Sequence, residues 1–131
     1  MAITRVQLLS IPVADQDRAK AFYLDRLGFD LVADAPMGPD QRWVQVAPHG
    51  AQTSITLVTG FETMPPGSIK GTVLETTDLD AEVAALRDRG VPMDGEIEEA
   101  PWGRWATFSD PDGNGFVLQA SAQESRQPDP A

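Results

Sequence analysis

Apolar and polar side chains alternate along two short arms near the end of the chain. In the first arm, Ala106 and Phe108 fall on one face and Trp105 and Thr107 on the other, a period that predicts a β-strand. The sequence Asp-Pro-Asp-Gly-Asn at 110–114 then predicts a tight turn, because proline presets φ, aspartate bonds nearby amides and glycine accepts positive φ. The second arm follows directly, so the stretch predicts a β-hairpin.

An earlier stretch repeats this hairpin. Arg-Trp at 42–43 opens it, Pro-His-Gly at 48–50 turns it, and the apolar run 55–58 returns. Arg-Trp also opens the later hairpin at 104–105, and both turns contain Pro-x-Gly. The repetition indicates an internal duplication.

Each hairpin is preceded by a strand and an amphipathic helix. Asp15 is a plausible N-cap for the first helix, which Gly28 ends, and Thr77 or Asp78 caps the second, which Gly90 ends. The apolar side chains recur at spacings of three and four. They are Ala19, Phe22, Tyr23 and Leu27 in the first helix and Leu79, Val83 and Leu86 in the second.

The complete order predicts an α+β fold built from two β-α-β-β-β modules. The other predicted strands are 6–13, 29–33, 71–76 and 93–98. We assign one domain to residues 1–121, with modules at about 5–59 and 71–120, a connector at 60–70 and a flexible tail at 122–131. The helices should cover one face of the strands and bury Leu9, Ile11, Ile55, Leu74 and Leu118.

Charge and composition exclude several classes of function. Twenty acidic residues against ten basic ones give a formal charge of −10, which disfavours nucleic acid and anionic membranes as partners. The chain has no cysteine, so disulfides and thiolate chemistry are excluded. No signal-peptide pattern or bilayer-length apolar run is present, and we expect a cytoplasmic protein.

The two modules, the motif around Pro-Val-Ala-Asp at 12–15 and the late Asp-Pro-Asp-Gly-Asn together resemble the vicinal oxygen chelate superfamily. That group includes glyoxalases, bleomycin-resistance proteins and extradiol dioxygenases. The resemblance implies a half-open, cup-shaped mixed barrel with the helices outside, and a homodimer. The fold supports several chemistries, so it does not decide the function.

Metal-using relatives hold a divalent ion with four side chains inside the cup. The resemblance places these positions at Leu8, Thr56, Gly71 and Val117. Three of these residues have no side-chain donor atom, and a neutral hydroxyl alone holds such an ion poorly. We therefore expect no metal and no other cofactor. The lone histidine, His49, lies in a turn and is not expected to be a ligand.

Several other side chains are candidates for ligand binding inside the cup. Strand alternation places Glu75 on the interior face, where it would anchor a cationic group, although a rim position in water or beside Arg104 is the alternative. Hydrogen-bonding and aromatic groups complete the set. These are Ser10 and Gln119, which otherwise serve as plain strand residues, and Trp43, Trp102 and Trp105, which otherwise pack in the core or a dimer interface.

We therefore expect a metal-independent protein that binds a small organic ligand and sequesters a drug-like or cationic compound. One alternative is a lyase, isomerase or dioxygenase of glyoxalase type with a displaced or Glu75-centred site. Another is a degenerate module kept for protein contacts.

Overall fold

A computed structural model of the chain describes residues 2–120. The predicted tail at 122–131 lies outside the described residues. The described chain divides into two compact units, one comprising residues 2–69 together with Pro111–Asn114, and the other comprising Lys70–Asp110 and residues 115–120. Each unit contains one four-stranded mixed sheet.

The first unit contains β1, α1, β2, β3 and β4 in that order. Their bounds are Leu8–Pro12, Gln16–Ala21, Asp30–Pro36, Arg42–Ala47 and Ser54–Val58. The sheet order is β1-β4-β3-β2, with β1 parallel to β4 and the remaining pairs antiparallel.

The second unit repeats this arrangement with β5, α2, β6, β7 and β8. Their bounds are Thr72–Thr76, Leu79–Asp88, Glu98–Ala100, Gly103–Ser109 and Gly115–Ala120. The sheet order is β5-β8-β7-β6, with β5 parallel to β8. The prediction of an α+β fold with two β-α-β-β-β modules is confirmed.

Aspartate caps begin both helices, as the sequence predicted. The Asp15 carboxylate accepts hydrogen bonds from the amides of Asp17 and Arg18 at 2.9 and 3.1 Å, and Asp78 accepts from the amide of Ala81 at 3.1 Å. These bonds satisfy amides that have no partner within the helix.

The end of the first helix differs from the prediction. After α1, residues Phe22–Arg26 form a π-helical turn in which the Leu27 amide donates to the Phe22 carbonyl at 3.1 Å. Gly28 follows with φ of 78°, and the Phe29 amide donates to the Tyr23 carbonyl at 2.9 Å. The glycine therefore ends the helix as predicted, but after a widened turn.

Apolar side chains of each helix pack on one face of their own sheet. Ala19, Phe22, Tyr23 and Leu27 are buried in the first unit, and Leu79, Val83 and Leu86 in the second. Ile11, Ile55 and Leu118 are buried on the strands as predicted, while Leu74 is half-buried. The prediction for Leu9 is wrong: it is 45% exposed, because it lies near the beginning of the edge strand β1, whereas Ile11 further along the same strand is buried.

The predicted strand at 93–98 is also displaced. The strand β6 begins only at Glu98, and Met93 forms an isolated bridge with Phe108. A bend separates the two, and Gly95 within it has φ of 159°. The predicted segment therefore overlaps the paired strand only at Glu98.

Candidate ligand-binding site

Strand pairing in the second unit brings four of the predicted ligand-binding residues onto one face. Glu75 on β5 pairs with Gln119 on β8, and Gln119 pairs with Trp105 on β7. Directly paired residues project from the same face of a sheet. The ring of Trp102, in the β6–β7 turn, stacks on Trp105 with a centroid distance of 6.0 Å and an interplanar angle of 8°.

We call these four residues, Glu75, Trp102, Trp105 and Gln119, the tryptophan face. It lies on the side of the second sheet opposite α2, because Ala106 and Leu118 alternate with Trp105 and Gln119 and are buried on the helix side. Trp102 is 74% exposed. A large aromatic surface is therefore open to solvent on this face.

Glu75 is exposed on this face of the second sheet. Its neighbour on the same strand face, Val73, is 56% exposed. Among residues 2–120, no basic side chain lies within ion-pair distance of the Glu75 carboxylate. A ligand that reaches this face meets an accessible negative charge.

The alternative pairing of Glu75 with Arg104 does not occur. Arg104 points to the helix side, where its guanidinium binds Asp80 of α2 at 3.0 Å and Glu99 of β6 at 3.1 Å. Because Arg104 and Trp105 are consecutive in a strand, their side chains project to opposite faces. The arginine holds α2 to the sheet and leaves Trp105 on the open side.

Sequence reasoning did not assign Glu98 to the candidate site. Glu98 pairs with Trp105 across β6 and β7, so it lies on the tryptophan face, whereas Glu99 turns to Arg104. Adjacent strands are about 4.8 Å apart. The backbone of Glu98 is therefore about 5 Å from that of Trp105 on one side, and the backbone of Glu75 is about 10 Å away on the other. Strand alternation of Glu98 and Glu99 was the available signal.

The two candidates in the first unit are bonded within their own sheet. The hydroxyl oxygens of Ser10 and Thr56 are 3.2 Å apart, and the indole Nε1 of Trp43 donates to Oε1 of Gln45 at 2.9 Å. These polar groups already have partners, so they are less available to a ligand than the carboxylates of the tryptophan face.

The four positions of the metal ligands in relatives do not offer a metal site. Leu8 and Val117 are aliphatic, and Gly71 precedes β5 with φ of 81° and no side chain. The Thr56 hydroxyl is engaged with Ser10 and lies 3.5 Å from the Leu9 carbonyl. Within residues 2–120, no group of three or more His, Asp or Glu side chains is placed to hold an ion. The donor set therefore does not fit the superfamily's divalent metal.

His49 and the aspartates of the late turn, Asp110 and Asp112, belong to the structure of the fold and not to the candidate site. His49 Nδ1 lies 2.7 Å from Asp30 Oδ2 on an exposed turn. Asp110 is buried, and Asp112 Oδ1 accepts from the Ala14 amide at 3.1 Å and from Arg18 Nη2 at 3.0 Å. Asp112 thus also secures the chain at the start of α1, which the turn pattern alone did not reveal.

Comparison with known proteins agrees with this architecture. The sequence profile of the Glyoxalase/Bleomycin resistance protein/Dioxygenase superfamily matches residues 5–118. The chain belongs to this superfamily. In the described part of the chain, no helix has the length and apolar character needed to span a bilayer.

Individual relatives include proteins related to antibiotic binding. The crystal structure of TnmS3, an antibiotic binding protein from Streptomyces sp. CB03234, is 57% identical with a TM-score of 0.85, over 92% of this chain and 98% of that one. A superfamily member from Sphaerobacter thermophilus DSM 20745 is 38% identical with a TM-score of 0.84, over 92% and 100%. An uncharacterised protein of Bacillus subtilis (strain 168), YetH, is 34% identical, over 89% of this chain and 98% of its own length.

Proposed function

We propose that this protein binds a small, cationic aromatic compound on the tryptophan face and sequesters it without a metal ion. The observation that carries the proposal is the exposed stacked pair Trp102–Trp105 on the same face as Glu75. Indole rings attract flat ligands and cations through their π faces. The antibiotic binding described for TnmS3, at 57% identity, supports a small-molecule ligand.

The spacing on this face defines the ligand more closely. Because Glu98 lies one strand and Glu75 two strands from Trp105, a ring system stacked on the tryptophans can direct a cationic substituent toward either carboxylate. Gln119 lies between Glu75 and Trp105 and offers both a donor and an acceptor. The formal charge of −10 favours the approach of a cation.

Proflavine, a planar tricycle protonated at neutral pH, is a suitable probe, and acridone is its neutral counterpart. We expect calorimetry to show that proflavine binds more tightly than acridone, with the same affinity in the presence of EDTA. Glu75→Gln should weaken proflavine binding by about 1–3 kcal/mol, roughly five- to 150-fold, because a charge-assisted contact is lost.

The matched control is Asp88→Asn at the end of α2, on the opposite side of the second sheet. It removes the same charge and should leave the proflavine affinity unchanged. Equal affinities for the wild type and Glu75→Gln would remove Glu75 from the site. An equal loss in Asp88→Asn would reduce the effect to net charge.

We also propose that the protein is a homodimer. Exposed apolar side chains such as Val73 and Trp102, together with the unpaired edges of both sheets, favour burial against a second copy. Light scattering should give about twice the chain mass of 14.1 kDa. A monomer at micromolar concentration would contradict this.

A further inference from the structure

A cavity lies in the first unit beside Trp43. It is an open cleft of about 160 Å³ between the β2–β3 loop and the segment that follows β4. Its walls include Met37, Gln41, Trp43, Val58, Thr59 and Phe61. We call it the Trp43 cleft, and none of these residues belongs to the tryptophan face.

Local hydrogen bonds hold the walls of the Trp43 cleft in place. The Met37 amide donates to the Gln41 carbonyl at 2.8 Å, and the Met64 amide donates to the Phe61 carbonyl at 3.1 Å. The Trp43 indole is oriented by its 2.9 Å bond to Gln45. The cleft is therefore largely formed before any ligand arrives, which limits the ordering entropy that binding costs.

The cleft combines large apolar surfaces with no available charge. Met37 and Phe61 are 56% and 54% exposed on its walls, so a ligand between them removes apolar area from water. Among residues 2–120, the one charged residue that lines the cleft is Arg42, and its guanidinium binds Asp34 at 2.8 Å and Asp17 at 2.7 Å. Its charge is compensated, which disfavours an anionic ligand and gives a cation nothing to pair with.

We propose that the Trp43 cleft binds a neutral aromatic compound of one or two rings that carries a hydrogen-bond donor. A cavity of roughly 150 Å³ accepts a benzene ring, and the open side leaves room for a second ring. Met37 and Phe61 enclose the ring system beside Trp43, while the Gln41 amide or the Thr59 hydroxyl accepts the donor. The site differs from the tryptophan face in its preference for a neutral ligand.

Indole is the probe, because it is a neutral bicycle with one N–H donor. In ¹⁵N-labelled protein, the Trp43 indole resonance, assigned by its loss in Trp43→Phe, should shift saturably with a Kd on the order of 1 mM. Benzoate and benzamidine, which carry opposite charges, should bind at least about tenfold more weakly, because they lose hydration without gaining a charged partner.

Two variants test the walls, and both replace exposed side chains. Met37→Ser and Phe61→Ser should each reduce indole affinity at least about fivefold, with well-dispersed spectra showing that the fold is intact. Val32→Ser is the control, since Val32 is 52% exposed on β2 and lies outside the cleft. Its affinity for indole should equal that of the wild type.

Several outcomes would overturn the proposal. These are an unchanged affinity in both wall variants, an equal loss in Val32→Ser, and benzoate or benzamidine binding as tightly as indole. A shift of the Trp102 and Trp105 resonances with the Trp43 resonance unmoved would place indole on the tryptophan face instead. If dilution without indole moved the Trp43 resonance and Phe61→Ser abolished that change, a second copy of the chain would be the occupant.

Discussion

The two modules use the same Arg-Trp dipeptide in the same place but with different consequences on the open side. On the helix side, the two arginines make equivalent ion pairs. Each binds an aspartate in the first turn of its helix and a second acid on the outer strand of its sheet. The pairs are Arg42 with Asp17 and Asp34, and Arg104 with Asp80 and Glu99. The duplication thus preserved the contacts that fasten each helix to its sheet.

On the open side the tryptophans differ. Trp43 is half-buried and donates its N–H to Gln45, whereas Trp105 carries the exposed Trp102 ring on its face. In the first sheet the hydroxyls of Ser10 and Thr56, which share a row with Gln45, are bonded to each other, while Glu75, in the row of Trp105, is exposed. A duplicated fold can therefore keep the ion pairs that join each helix to its sheet and still change the residues on the open face. This is possible because alternate residues of a strand face separate environments.

We expect the largest difference between the modules in stability, when a residue in each hairpin turn is replaced by alanine. Asn114 is fully buried, its amide nitrogen donates to the Pro12 carbonyl at 2.8 Å, and its oxygen accepts from the Ile69 amide at 3.3 Å. We expect Asn114→Ala to lower the free energy of unfolding by about 2–4 kcal/mol, because buried backbone groups lose their partner. His49→Ala, on an exposed turn, should change it by less than about 0.5 kcal/mol.

Denaturant midpoints at unchanged m-value measure this difference. A loss below about 1 kcal/mol in Asn114→Ala would mean that water or a local shift replaces the bonds.

Substitution of the tryptophans should distinguish the open faces of the two sheets by their effect on proflavine affinity. Trp102→Ala removes an exposed ring and should weaken proflavine about tenfold, the scale of one lost aromatic stacking contact. Trp43→Phe should leave proflavine affinity unchanged if the tryptophan face binds alone. Calorimetry on both variants measures this, and an equal loss in the two would contradict binding by the tryptophan face alone.

We expect the smallest difference between the modules in the pKa values of the acids that the two arginines bind. Arg42, with Lys20, lowers the pKa of Asp34 well below its ordinary value of 3.8, and Arg104 lowers the pKa of Asp80. Both carboxyls release their protons more readily in the folded chain than in the unfolded one. Their ion pairs therefore contribute stability above about pH 4 that is lost as the pH falls through the folded pKa values.

Carboxyl ¹³C shifts followed during acid titration measure each pKa. Asp34 should stay ionised to a lower pH than Asp80, since a second cation faces it at 2.6 Å. Arg42→Gln should raise the pKa of Asp34 and leave that of Asp80 unchanged, and Arg104→Gln should do the reverse. A single common pKa for both acids would contradict the difference between the modules.

Local features of the sequence predicted the elements and their duplication. Asp15 and Asp78 marked the helix starts, Gly28 and Gly90 followed their ends, and alternation located most of the strands. These features succeed because capping bonds, positive φ and strand alternation depend on residues only a few positions apart. The same alternation placed Glu75 and Gln119 on the face opposite the helix.

Only the tertiary structure decided which of these residues meet. Strand register placed Glu98 beside Trp105, and the approach of α2 drew Arg104 to Asp80 instead of Glu75. The exposure of Leu9 on an edge strand has the same origin. These outcomes depend on pairings between segments distant in the chain, and a shift of one residue in register moves every side chain to the other face.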